Sequence, residues 1–195
     1  MLFRRLSDDK LQSRIITLLD EALAKISSGL SDTIPEDIAL TEAGLAMVFL
    51  AEYALTYKKR TSLLSRISHD LLDHMEDKGI GDDYLPVFFL DDLVFLADLY
   101  RDRINAYAAI ANKQIVPYGR WFFGSRQDRF DFHLLMLLGD YIFYPVILGE
   151  AYMGDYSVFP TIPSDPETNI SFALDLSSTI FPECIDYFHS VLSLL

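Results

Sequence analysis

The segment at residues 68–77 holds the side chains of this chain that are best spaced for metal or acid–base chemistry. It reads SHDLLDHMED, so His69 lies four residues before Asp73, and Asp70 lies four residues before His74. Residues four apart on a helix share a face and can hold one metal ion or pair with each other. The spacing predicts a candidate metal site at His69, Asp73 and His74, which a second element would have to complete. Helical periodicity also predicts the alternative, a solvated face on which these charges pair.

A second cluster lies at residues 118–129, which read YGRWFFGSRQDR and include the only tryptophan, Trp121. Tryptophan and arginine are favoured anchors at protein interfaces, so Trp121 and Arg120 are predicted partner-binding residues. Arginine beside aromatic rings can also stack on nucleic-acid bases, but the acidic balance of the chain argues against a polyphosphate ligand. The alternative is a loop that tucks Trp121 under the core while its arginines pair with acids later in the chain.

Paired acids at residues 82–83 and 91–92 are the kind of group that binds a metal diphosphate in α-helical enzymes. A DDxxD motif would need a third acid at position 86 or 95, where the chain has Pro86 and Phe95. These acids therefore read as solvated charges or as residues that complement a helix dipole.

The sequence also lacks a complete set of residues for nucleophilic catalysis. Cys184 and His189 are five residues apart, which places them on different faces of a helix. Cys184 is predicted to be a small buried residue, and His133, within an apolar segment, is predicted to be a hydrogen-bonded core histidine. The sequence predicts no catalytic residue and no cofactor.

The elements that must position these residues are almost all helical. Helix-period apolar stripes, capping residues and Gly or Pro boundaries define them. The predicted helices are Ser7–Ser28, Thr41–Tyr57, Thr61–Asp77, Phe88–Asn112, Phe130–Met153 and Pro182–Leu194, with a proline-rich loop at Asp155–Asn169. The first and third are amphipathic, whereas the second is uncharged from Ala43 to Ala51, which predicts burial on all sides. We therefore predict one all-α domain over residues 1–195, in a two-layer α/α arrangement such as a partial α/α barrel or an irregular bundle.

The stretch Ala43–Tyr53, followed by a short basic turn and a helix to Asp77, resembles the first helical pair of lanthionine synthetase C-like proteins. The resemblance covers 35 residues, and residues 138–144 loosely repeat the pattern. It implies an α/α toroid and kinship with peptide-modifying enzymes. That family's enzymes hold zinc with two cysteines and a histidine, whereas this chain has only Cys184, so no catalytic residue carries over.

The charge distribution is the strongest clue to a partner. The chain has a formal net charge of −13, and no lysine or arginine follows Arg129. The last 66 residues carry nine acids, whereas the first 129 carry 20 acids and 16 bases. Because this last third is also rich in apolar residues, it is predicted to fold rather than to form a solvated tail.

These observations favour a non-enzymatic binding protein that engages a basic protein or peptide through the acidic last third. The predicted contacts there are Glu150, Asp155, Asp165 and Glu167. The alternative function is a peptide-modifying enzyme or subunit related to the lanthionine cyclases. A mean hydropathy of +0.20 is high for so charged a chain, and a homo-oligomer that covers its own apolar surface is a further alternative.

The remaining sequence features bear on the compartment. One cysteine gives no disulfide framework, and the N-terminus lacks the apolar segment of a signal peptide. The longest apolar stretch, residues 130–149, contains Asp131, His133 and Asp140, which would be costly in a bilayer. We therefore expect a cytoplasmic protein without a membrane span.

Overall fold

The computed structural model describes residues 6–31, 34–82, 96–111, 134–135, 138–139, 141–142 and 173–195. The described residues are 87% helical and contain no strand, which confirms the predicted all-α class. The helices are α1 (Asp8–Gly29), α2 (Glu36–Tyr57), α3 (Thr61–Asp77), α4 (Leu96–Ala111) and α5 (Phe181–Leu194), with a π-helical turn at Leu176–Ile180 directly before α5. The two-layer arrangement and the single domain stay predictions, since most of the predicted helix at 130–153 lies outside the described residues.

Helix α2 is the central element of the described core. Every residue from Thr41 to Ala51 is buried, as the uncharged sequence from Ala43 predicts, and α2 contacts α1, α3, α4 and α5. By length and composition it is also the one described helix that could cross a membrane, but 83% of its most apolar window is buried inside the protein. It begins at Glu36, five residues before the predicted start at Thr41.

Ion pairs and hydrogen bonds fix the directions of the helices around α2. The side chains of Arg60 and Ser62, at the start of α3, bind Asp8 at the start of α1. At the other end, His74 and Lys78 bind Asp20. Helices α1 and α3 are therefore parallel to each other, and α2, which connects them, is antiparallel to both.

Helix α5 runs antiparallel to α1. Lys25 of α1 binds Glu183 with an Nζ–Oε2 distance of 3.1 Å. One turn earlier on the α5 side, the Thr179 hydroxyl donates to the carbonyl of Gly29 over 3.3 Å. The π-helical turn is thus held against the last turn of α1, and this contact orients α5 along the α1–α2 groove.

Helices α2 and α3 both end in a left-handed residue that closes a Schellman motif. Gly79 has φ +72°, its amide donates to the carbonyl of Glu76, and the next amide, of Ile80, donates to that of Met75. After α2 the same hydrogen-bond pattern occurs at Lys59, with φ +55°. Glycine adopts this backbone conformation freely, whereas a lysine is strained there.

Candidate functional site

A fully buried ion pair lies between α2 and α4. The Arg103 guanidinium donates from Nε to Glu42 Oε2 over 3.2 Å and from Nη2 to Glu42 Oε1 over 2.9 Å. Glu42 is 0% exposed and Arg103 is 1% exposed. Two parallel bonds between a planar guanidinium and a carboxylate form the strongest common polar contact, and burial requires it because each ion alone would be costly inside the core.

Aromatic rings surround this ion pair. The guanidinium carbon of Arg103 lies 3.9 Å from the centroid of the Tyr141 ring, a cation–π contact. Tyr141 meets Tyr107 edge-on at 5.9 Å, and Tyr107 stacks on Phe49 at 5.2 Å. The aromatic contacts thereby link α2, α4 and the helical residues 141–142.

A second polar contact joins the same two helices. The buried Tyr100 hydroxyl of α4 donates to Glu52 Oε2 of α2 over 2.7 Å. Burial raises the pKa of Tyr100 far above its ordinary value, and the Glu52 carboxylate adds to the shift. The phenol therefore stays protonated and serves as a hydrogen-bond donor rather than as an acid.

This central cluster is arranged to hold helices together rather than to react. Arginine keeps its charge at every accessible pH, and both carboxylate oxygens of Glu42 are engaged by it. These groups fix the orientation of α4 on α2.

The structure separates the predicted metal ligands into two pairs. His69 Nδ1 lies 2.9 Å from Asp73 Oδ2 on the exposed face of α3, whereas His74 Nε2 lies 2.8 Å from Asp20 Oδ1 of α1. Neighbouring residues such as Asp73 and His74 differ by about 100° around a helix, so they face different surroundings. Among the described residues, no three His, Cys, Asp or Glu side chains are grouped so that they could hold one metal ion.

The surroundings of His69, on the exposed face of α3, raise its pKa. A hydrogen bond with its own backbone raises the pKa of His69, and the Asp73 carboxylate raises it further. Both effects favour the imidazolium, so the His69–Asp73 pair keeps its full charge to a higher pH than an ordinary histidine would allow.

Cys184 is buried in α5, as the sequence predicts. Burial raises the pKa of the Cys184 thiol well above its usual range, and the neighbouring Glu183 charge adds to the effect. A thiol that stays protonated is a weak nucleophile, so this residue belongs to the packed core.

The described helices carry opposite charges at their two ends. We define the basic end as residues 6–14 and 57–66, where six lysines and arginines face two acids, a net of +4. We define the acidic end as residues 20–31, 34–37, 70–82 and 175–183, where eleven acids face two lysines, a net of −9 with histidine neutral. The alternating directions of α1, α2 and α3 bring each set together.

The predicted partner-binding residues lie outside the described part of the chain. They are Arg120, Trp121, Glu150, Asp155, Asp165 and Glu167. The chain matches no known protein family, no curated protein and no solved structure. The resemblance to lanthionine synthetase C-like proteins therefore stays a prediction.

Proposed function

We propose that this protein is a non-enzymatic binding module that engages a basic protein or peptide through its acidic last third. The observation that carries the proposal is the absence of lysine and arginine after Arg129, beside nine acids. Carboxylates on a folded surface without local counterions attract a cationic partner and steer its approach.

The described ion pairs support this proposal. Most of the described bases that form ion pairs bind acids of the first 129 residues, as Arg60 does with Asp8 and Arg66 with Asp9. Among the described residues, Lys25–Glu183 is the only ion pair that reaches the last third. The two acids at 175–183 lie at the acidic end, where Asp175 is buried and Glu183 is paired with Lys25, so the proposal depends on the other acids of the last third.

The test is the affinity for a fluorescein-labelled nona-lysine peptide, measured by anisotropy at 50 and 300 mM NaCl. We expect binding that weakens by roughly tenfold or more at the higher salt, since exposed charges are screened. A nona-glutamate peptide of the same length is the control ligand. Binding that is unchanged by salt, or equal for the two peptides, would contradict the proposal.

Paired variants locate the binding surface. Asp165→Asn with Glu167→Gln removes two charges from the last third, and Glu21→Gln with Asp77→Asn removes two exposed charges from α1 and α3. Because both double variants have the same net charge, a difference between them reports position alone. We expect the variant with Asp165→Asn and Glu167→Gln to lose more affinity for the nona-lysine peptide. An equal or larger loss of affinity in the variant with Glu21→Gln and Asp77→Asn would assign binding to the helix ends.

A further inference from the structure

The basic end carries four exposed cations without an ion-pair partner among the described residues. They are Lys10 and Arg14 on α1, and Lys58 and Lys59 in the turn after α2. The other two bases of this end, Arg60 and Arg66, are bound to Asp8 and Asp9. The surplus of +4 is therefore fully available to an external ligand.

An exposed aromatic residue stands in the same turn. Tyr57 is 71% exposed and directly precedes Lys58 and Lys59. A ring with an apolar body and a polar tip, flanked by cations, is the combination that settles at the headgroup level of a bilayer. In the sequence, Leu6 of the basic end is also preceded by two arginines, Arg4 and Arg5.

The acidic end of the described helices lies far enough from the four exposed cations not to oppose this contact. On α1, Asp20 follows Lys10 by ten residues and Arg14 by six, which corresponds to about 15 Å and about 9 Å along the helix axis at 1.5 Å per residue. The Debye length at physiological ionic strength is about 8 Å. A surface that touches only the basic end therefore responds to the local +4 rather than to the net charge of −13.

We propose that the basic end is a docking surface for an anionic lipid membrane. The three lysines and one arginine at positions 10, 14, 58 and 59 contact headgroup phosphates and carboxylates. Tyr57 enters the interface, and the acidic end points away from the bilayer. A planar surface meets one end of the molecule only, whereas an extended nucleic acid would also run beside the acidic helices. This surface is distinct from the one in the proposed function and goes beyond it.

The experiment is cosedimentation of the full chain with vesicles at 100 mM NaCl. We expect binding to phosphatidylcholine vesicles that contain 30% phosphatidylserine, no binding to pure phosphatidylcholine, and release at 500 mM NaCl. Each surface cation contributes about a fivefold change in partitioning. Lys58→Gln with Lys59→Asn should therefore weaken binding roughly 25-fold, and asparagine keeps the left-handed backbone accessible at position 59.

The matched control is Lys25→Gln with Lys78→Gln, which makes the same change in net charge at the acidic end. We expect it to retain vesicle binding within about twofold, because those lysines lie beyond the screening distance. Equal losses in the two double variants, or equal binding to both vesicle types, would overturn the proposal. So would binding of a dT20 oligonucleotide or a nona-glutamate peptide through Lys58 and Lys59 without vesicle binding. Circular dichroism of each variant confirms that the fold is retained.

Discussion

At the scale of single residues, Glu42 determines how α4 packs on α2. It is the only charged residue between Ile38 and Ala51, and it is fully buried. If the cation alone is removed, the buried carboxylate keeps a charge that nothing compensates. If apolar residues replace both partners, the ion pair is lost, but the free-energy cost of removing two charges from water is lost with it. The Glu42–Arg103 pair therefore selects one way of packing α4 on α2, and it adds less to the net stability of the protein.

Replacing either partner alone should destabilise the protein strongly. We expect Glu42→Leu and Arg103→Met each to lower the free energy of unfolding by about 3–5 kcal/mol, and the double variant to lower it by less than either alone. Urea denaturation measures all three. The control is Arg101→Met, two residues away on α4, where the pair with Asp98 is exposed and should contribute less than about 1 kcal/mol. Additive losses in the double variant would show that the two side chains act independently.

The pattern of apolar residues in α4 does not indicate that Arg103 is buried. Arg101, two residues earlier, is 74% exposed and binds Asp98. The buried face instead runs through Leu99, Arg103 and Tyr107. A usable signal was present in α2, because an acid within a helix that is apolar on all sides requires a buried cation nearby. Choosing that cation among 16 lysines and arginines depends on tertiary contacts.

At the scale of elements, helices with a clear apolar stripe were predictable and irregular features were not. The bounds of α1 and α3 agree with the sequence prediction to within one residue. The start of α2 lies five residues before the predicted one, and its first turn contains Glu36 and Asp37, acids that complement the helix dipole. The π-helical turn at Leu176–Ile180 inserts before Pro182, where the sequence indicated a simple helix start.

The two Schellman motifs make a matched pair for testing helix ends. Lys59→Gly relieves a left-handed lysine and should raise the free energy of unfolding by about 1 kcal/mol. Gly79→Ala introduces the same strain after α3 and should lower it by about 1 kcal/mol. Lys58→Gly is the control, since Lys58 has φ −89° and gains nothing from glycine. A gain at position 58 equal to that at position 59 would assign the effect to the lost charge instead of the backbone.

At the scale of the whole molecule, the separation of charge is more informative than its sum. A net charge of −13 describes a protein that repels polyanions and other copies of itself. Interactions between exposed charges fade beyond about 10 Å at 0.1 M salt, so each end of the helical core acts on its own surroundings. One molecule can therefore present a cation-binding surface and an anion-binding surface at the same time.

Charge reversals at the two ends distinguish local from net charge. Asp77→Arg places a cation among the acids of α3 and lowers the net charge to −11, since it removes one acid and adds one base. It should raise the free energy of unfolding by about 0.5 kcal/mol at 20 mM salt, and the gain should shrink at 500 mM.

Arg14→Glu takes the net charge to −15 but reduces the surplus at the basic end from +4 to +2. If local repulsion governs stability, Arg14→Glu leaves the free energy unchanged or raises it slightly, because Lys10, four residues earlier, gains an opposite charge. Thermal and urea denaturation measure the free energy of unfolding of both variants. If the net charge governed stability instead, Asp77→Arg would raise this free energy and Arg14→Glu would lower it by the same amount.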